Sequence, residues 1–319
     1  MSAFHTPVLV DQVASALVPG LVRAGRERVA VFVDVTCGGA GHTMAVMEAA
    51  RPGVVVALDR DPAALEEARS RLEPAAARLG VRLHLVRSRF SEVRQVLADA
   101  GIHQVTALLA DLGVSSHQLD TRARGFSLRG DAPLDMRMGP DGVTAAELLA
   151  SLDEAALTDV LRRYGEEPNA RRIARAILTA RPTTTAALTA AVCSVTGPPH
   201  GGHRVHPATR TFQAIRILVN GELDELAALL EDGPSLLEPG GRMAVITFHS
   251  LEDRAVKQRF AALSRPPPLP RGLPIPEDTR PRPPFVTPER RGQAPTDAEV
   301  TANPRSRSSR LRVLERCAA

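Results

Sequence analysis

The residues with the most chemistry to offer stand near the front of the chain, in Asp34-Val35-Thr36-Cys37-Gly38-Gly39-Ala40-Gly41-His42. Ahead of them, residues 29–33 form a short apolar run rich in β-branched side chains, which reads as a buried strand. Behind them, residues 43–50 read as a helix. Glycines between a strand and a helix let backbone N–H groups approach a ligand closely, and the helix N-terminus adds partial positive charge. The same residues also suit a tight strand-to-helix turn that holds nothing. Gly39-x-Gly41 lacks the third glycine of a dinucleotide fingerprint, because Met44 occupies that place. Asp59 follows eighteen positions beyond Gly41, at the end of a second apolar run over 54–58. A carboxylate there accepts hydrogen bonds from a ribose diol, or else caps a loop, as Asp61 beside it can. With the Gly turn upstream the ligand reading is the stronger one, and it admits either NAD or S-adenosylmethionine.

The elements that must position these residues can be read in order. Pro7 disfavours a helical Thr6. Leu9, Val13, Ala16 and Leu17 recur at helical spacing, so a short amphipathic helix precedes the first strand. Asp61-Pro62 opens another helix, with Asp61 as N-cap, Pro62 at the first position, and Glu66 and Glu67 near the positive end. Val81-Arg82-Leu83-His84-Leu85 alternates as a third strand, Ser91 caps a helix through Leu97, and residues 105–110 make a fourth strand ending on Asp111. Strands alternating with helices predict a parallel sheet.

From Leu112 to about Met138 the periodicity stops. Thr144-x-x-Glu147 and Ser151-x-x-Glu154 read as capping boxes, and a further helix is expected over 186–195. Ala170, Ile173, Ala174, Ile177 and Leu178 make an apolar stripe, with Arg171, Arg172 and Arg175 off it. No strand signal occurs from Asp120 to Gly202. The expected organisation is therefore a discontinuous domain, 1–120 with 203–319, around an inserted helical domain, 121–202. Helices over 208–219 and 222–230 follow. Leu236-Leu237-Glu238-Pro239-Gly240-Gly241-Arg242 reads as a turn before a strand over 243–248. Ser250-Leu251-Glu252-Asp253 then resembles a capping box, residues 265–288 a Pro-rich loop, and residues 311–314 a last strand.

Composition bounds the function. The 319 residues are 44% hydrophobic and 24% charged, which is ample for a globular core. A net charge of +4 and a pI near 9.6 permit a polyanionic partner without requiring one. Lys257 is the only lysine among 40 basic residues. Arginine's planar fork suits phosphate, although Arg-favouring codon usage produces the same bias. Cys37, Cys193 and Cys317 are far apart and odd in number, with no CxxC pair. That argues against a structural zinc site, so no metal is expected, and against a disulfide framework, in keeping with a cytoplasmic protein. No secretory leader is visible, and no apolar run approaches membrane-spanning length.

Longer blocks carry a specific resemblance. Asp111-Leu112-Gly113-Val114-Ser115-Ser116-His117-Gln118-Leu119-Asp120, Arg124-Gly125-Phe126-Ser127, Pro133-Leu134-Asp135-Met136-Arg137-Met138, His206-Pro207-Ala208-Thr209-Arg210-Thr211-Phe212-Gln213 and Phe248-His249-Ser250-Leu251-Glu252-Asp253-Arg254 resemble the bacterial small-subunit rRNA (cytosine-N4)-methyltransferase family, RsmH or MraW. The likeness runs from His5-Thr6-Pro7 to Ser308-Ser309. It implies an α/β fold: a class I S-adenosylmethionine-dependent methyltransferase (Rossmann-like) sheet with an inserted small helical domain. It implies methyl transfer from S-adenosylmethionine to the N4 amino group of a cytidine in the decoding region of 16S rRNA. The implied partner is 16S rRNA in the small ribosomal subunit, with no membrane and with room for a homodimer. Family cofactor contacts map onto Ala40, Gly41 and His42 in the Gly turn beside Gly39, and onto Asp59, Phe90, Asp111 and Gln118.

Two departures stand out. Where many class I enzymes read adenine with an acidic residue after strand three, this chain has Ser88-Arg89-Phe90, so Phe90 is expected to stack instead. Where many amino-methyltransferases carry Asp-Pro-Pro-Tyr, it has Asp111-Leu112-Gly113-Val114. Asp111 and His249 are the expected catalytic residues, with Ser115 and Ser116 equally readable as loop caps. Arg122, Arg124, Arg137, Arg204 and Arg210 are expected to meet RNA phosphate, and Phe126 and Phe212 either stack a base or pack in a core. An NAD-dependent oxidoreductase would share only the Gly turn and Asp59. A non-catalytic ribosome-assembly factor would keep the fold without turnover.

Overall fold

The computed structural model describes residues 7–198, 206–266 and 282–318. Strands β1 (Val31–Asp34), β2 (Val54–Asp59), β3 (Arg82–Arg87), β4 (Val105–Asp111), β5 (Leu237–Thr247), β6 (Phe285–Val286) and β7 (Arg310–Arg316) form one sheet. Their order is β3-β2-β1-β4-β5-β7-β6. β1 to β5 are parallel, and β7 is antiparallel to both its neighbours. All four residues of β1 are buried, as are the first six of β4. Strands covered on both faces read as continuous apolar runs rather than alternating ones, which is why these two were legible.

Before and between the strands lie α1 (Val10–Glu27), α2 (Gly41–Ala50), α3 (Pro62–Leu79), α4 (Val93–Asp99), α5 (Ser116–Asp120), α6 (Ala145–Ser151), α7 (Glu154–Gly165), α8 (Ala170–Ala180), α9 (Thr185–Thr196), α10 (Thr209–Asn220), α11 (Glu222–Leu236), α12 (Ser250–Leu263) and α13 (Asp297–Ala302). The described residues divide into two compact units. Val114–Asp224 form a helical unit, and the residues up to Gly113 and from Glu225 onward form the sheet unit.

In the sheet unit α1 is longer than its sequence suggests. It runs through Pro19 because its buried stripe continues from Leu17 to Leu21 and Ala24. α3 starts as expected, with the Asp61 carboxylate accepting from Ala63 N–H at 3.1 Å. Ser91 does not cap a helix. It lies inside a 3-10 turn, Phe90–Glu92, and its N–H is taken by the Glu225 carboxylate at 3.3 Å. α11 continues to Leu236, and β5 begins at once, so the Pro239-Gly240-Gly241 turn is strand with a local irregularity opposite β4. β6 and α13 fall where no element was expected.

In the helical unit α7 opens on Asp153, whose carboxylate accepts from Ala156 N–H at 2.8 Å. Ser151 instead closes α6, because Leu152 is extended and separates the two helices. The Thr144–Glu147 box forms as expected. Leu157, Leu161, Ile173, Ile177, Leu188 and Ile215 make the core, and Phe126 and Phe212 are buried with them. Both phenylalanines therefore take the packing role. Gly125 turns the chain at φ +70°, where a Cβ would meet Pro133 O at 2.5 Å and Asp135 N at 2.8 Å.

Candidate cofactor and catalytic site

Strand order reverses between β1 and β4. β2 and β3 extend one way and β4 and β5 the other, and the crevice beyond the strand C-termini at such a switch point is where open α/β sheets bind ligands. A carboxylate ends each nearby strand: Asp34 on β1, Asp59 on β2 and Asp111 on β4. Asp59 ties the Gly turn to its own strand. Its Oδ2 accepts from Gly38 N–H at 2.8 Å and its Oδ1 from Asp61 N–H at 2.9 Å. Burial pushes this carboxyl up to about 6, against the pull of those two N–H bonds. Gly38 (φ +51°) and Ala40 (φ +63°) both take left-handed backbone, and Ala40 gives α2 no side-chain cap. The carbonyl of Gly39 is held by the Arg71 guanidinium. At Gly41 a Cβ would meet the Pro7 ring at 2.8 Å.

Asp34 was not singled out from the sequence, yet it organises the turn. It is 1% exposed. Its Oδ2 accepts from Thr43 Oγ1 at 2.6 Å and its Oδ1 from Thr36 N–H at 3.1 Å, while Thr36 Oγ1 accepts from Asp111 N–H at 2.6 Å. The available signal was its position: an acidic residue closing the first apolar run, just ahead of the glycines. Burial holds the Asp34 carboxyl above its ordinary value.

Asp111 faces His42. His42 Nε2 lies 2.7 Å from Val8 O, and its Nδ1 lies 3.5 Å from Asp111 Oδ2. The other oxygen, Asp111 Oδ1, is buried and has no hydrogen-bond partner among the described residues. Burial pushes the Asp111 carboxyl well up, with Asp34 and Glu252 adding to the effect, and burial lowers the His42 imidazole.

The remaining expected residues divide. Phe90 is half-buried at the start of the turn after β3. His249 is the N-cap of α12. Its Nδ1 accepts from Glu252 N–H at 3.4 Å, its Nε2 stands 3.1 Å from Glu252 Oε1, and the Glu252 carboxylate takes Phe248 N–H at 2.8 Å. The capping box thus begins one residue earlier than Ser250. Gln118 lies in the helical unit, where its side chain accepts from Ser115 N–H at 3.0 Å and donates to Met138 O at 3.2 Å.

Of the arginines, Arg137 grips Asp135 with two bonds, 2.9 and 2.8 Å, and donates to Pro140 O and Gly142 O. Arg124 donates to Arg137 O and Met138 O. Arg122 and Arg210 are exposed, Arg210 also reaching Glu166 O at 3.3 Å. Arg204 lies outside the described residues. Among those described, Arg124 and Arg137 are hydrogen-bonded within their own unit.

A buried carboxylate oxygen without a partner and a left-handed turn held by Asp59 fit a ligand carrying a cationic group and ribose hydroxyls, and the uncapped N-terminus of α2 offers N–H donors to its accepting atoms. With the 3-2-1-4-5-7-6 sheet and its antiparallel seventh strand, they define a class I S-adenosylmethionine-dependent methyltransferase fold. The chain belongs to the MraW methylase family, whose model matches residues 2–317. Among similar proteins, one from Methylobacterium nodulans is 48% identical over 317 residues, covering 98% of this chain and 90% of the relative. One from Myxococcus xanthus is 47% identical over 314 residues, covering 98% and 97%, and one from Magnetococcus marinus is 43% identical over 327 residues, covering both chains fully. Each is named ribosomal RNA small subunit methyltransferase H. No helix among the described residues is long and apolar enough to cross a membrane.

Proposed function

We propose that this chain transfers a methyl group from S-adenosylmethionine to the N4 amino group of a cytidine in the decoding region of 16S rRNA, acting in the cytoplasm on the small ribosomal subunit. Family membership supplies the substrate class. The observation that carries the chemistry is the free, buried Asp111 Oδ1 at the switch point, beside a turn that Asp59 braces.

Asp59 has accepting capacity left on both oxygens for a ribose diol, and the first N–H groups of α2 after Ala40 and Gly41 are donors for the rest of the ligand. When bound, S-adenosylmethionine supplies an electrophilic methyl group on a sulfonium. The N4 lone pair is delocalised into the cytosine ring, so acceptors must hold the amino protons as positive charge develops on nitrogen. Asp111 is assigned that role together with positioning of the methyl donor. A cytosine must leave its stack to bring N4 within reach. N4 loses its proton as, or after, it gains the methyl group, when its acidity has risen, so water can take it and no strong general base is needed. His249, fixed by Glu252, is assigned to face the base, and the exposed Arg122 and Arg210 to meet phosphate.

The test is methyl transfer from labelled cofactor to small ribosomal subunits, with nucleoside analysis. Label in N4-methylcytidine is expected. Label in another nucleoside would overturn the substrate, and cofactor binding without turnover would favour a non-catalytic assembly factor. In single-turnover measurements His249→Ala is expected to slow transfer with cofactor affinity nearly intact, while Asp111→Ala harms both.

A further inference from the structure

The position of His42 has a consequence for Asp111. A carbonyl oxygen only accepts, so the 2.7 Å contact between His42 Nε2 and Val8 O requires the proton on Nε2. A neutral His42 then presents a bare lone pair at Nδ1, 3.5 Å from Asp111 Oδ2. A bare imidazole nitrogen and a carboxylate oxygen repel when both only accept. The surroundings sharpen the conflict. His42 is 6% exposed. Asp34 on β1 acts on both partners, Glu252 on α12 on Asp111, and Glu299 on α13 on His42. Cys37 and Asp59 also lie near Asp34, and Asp61 and Arg60 act on Asp59. Asp34, Glu252 and Glu299 are all carboxylates, so they favour a proton between the two groups, with the Arg71 guanidinium on the Gly39 carbonyl the nearby cation of the turn.

We propose that His42 is a positioning residue for Asp111: the two share one proton along the Nδ1–Oδ2 line, which turns Asp111 Oδ1 free toward the ligand and links cofactor binding to proton release. The inference rests on the methyltransferase reading above. A cationic ligand group reaching Oδ1 favours the ionised carboxylate, so the shared proton leaves to solvent as the ligand arrives, and charge balances. The pair titrates as a unit, and its apparent value belongs to neither residue alone. The main chain of Val8 is part of the device, since without its carbonyl the imidazole could flip its proton to Nδ1.

The experiment uses the full chain and S-adenosylmethionine. Calorimetry in buffers of different ionisation enthalpy, at a pH above 7 where Asp59 is already ionised, reads protons released on binding. Release approaching about one proton per site is expected for the parent. In His42→Asn the amide can donate to Asp111 Oδ2, holding it ionised. The proton release above pH 7 is then expected to disappear, whatever the change in affinity. A merely structural histidine would leave the release unchanged, and that result overturns the proposal. If His42→Asn does not fold, nitrogen NMR of the histidine-labelled parent decides. A protonated Nε2, with an Nδ1 resonance that moves on cofactor addition, is expected; a protonated Nδ1 beside a bare Nε2 overturns it. Failure of the parent to bind S-adenosylmethionine at all would instead sink the methyltransferase reading, which is a separate outcome.

Discussion

The two units treat their expected functional residues differently. In the sheet unit, Gly39, Ala40, Gly41, His42, Asp59 and Asp111 stand at adjacent strand ends, where His42 meets Asp111 and Val8, Asp59 holds Gly38, and Thr36 links Asp111 to Asp34. In the helical unit two of the expected arginines, Arg124 and Arg137, are bonded within their own fold, while Arg122 and Arg210 are exposed. Parallel strands must end on the same edge of the sheet, so residues at their C-termini meet whatever the loops do. Helical surface positions carry no such constraint. Long arginine side chains find carbonyls and carboxylates inside their own unit as readily as a phosphate outside it.

The largest effect expected from testing this contrast is structural and lies in the helical unit. Gly125→Ala forces a Cβ against Pro133 O and Asp135 N at a positive φ. A loss of about 3 kcal/mol in stability is expected, read from urea unfolding. A parent-like midpoint would mean that the Arg124–Met138 segment can rearrange and that its internal bonds matter little.

Asp59→Ala should act mainly on the ligand. A loss of about 1.5–3 kcal/mol in S-adenosylmethionine affinity is expected from removing a charged acceptor, by calorimetry. Because burial raises this carboxyl to about 6, the ionised acceptor is lost as pH falls below that value, and parent affinity should fall with it. Unchanged affinity in a folded variant would remove Asp59 from the site. The same residue costs stability as pH rises through about 6, since its folded value lies above its unfolded one. Relative to the parent, Asp59→Ala should therefore gain stability at neutral pH compared with acid pH.

Arg137→Ala is expected to cost about 1–2 kcal/mol in stability, between an exposed and a buried pair, whether or not RNA is present. Burial alone would raise the Asp135 carboxyl, and the Arg137 bonds outweigh it, leaving it below its ordinary 3.8. The pair's contribution is thus fully present above about pH 4 and is lost as pH falls through the lower folded value. A variant of parental stability that has lost only subunit affinity would return Arg137 to the RNA surface.

The smallest stability effect belongs to Arg122→Ala combined with Arg210→Ala, about 0.5 kcal/mol or less. If these exposed side chains meet phosphates, subunit affinity should fall, and the salt slope should shrink by about one for each phosphate no longer neutralised. An unchanged slope would leave the helical unit without an identified RNA-facing arginine.

By itself the sequence determined the parallel core and the chemistry along its edge. β1, β2 and β4 are buried on both faces and could only read as apolar runs, the glycines mark the first turn, and Asp59 and Asp111 each close a run. The class of substrate was legible in the long family blocks rather than in any physical pattern. Other features were decided only by tertiary structure. Pro19 is tolerated in α1 because burial of Leu21 and Ala24 outweighs local propensity. Asp34 becomes central because Thr43 and Thr36 fold back onto it. His249 becomes the cap of α12 because Glu252 completes a box with it. His42 meets Asp111 because β1 and β4 are neighbours in space although 69 positions separate the two residues in sequence. Periodicity reports which face of an element is buried, whereas which partner waits on the other side depends on strand order, and strand order is settled only when the whole sheet assembles.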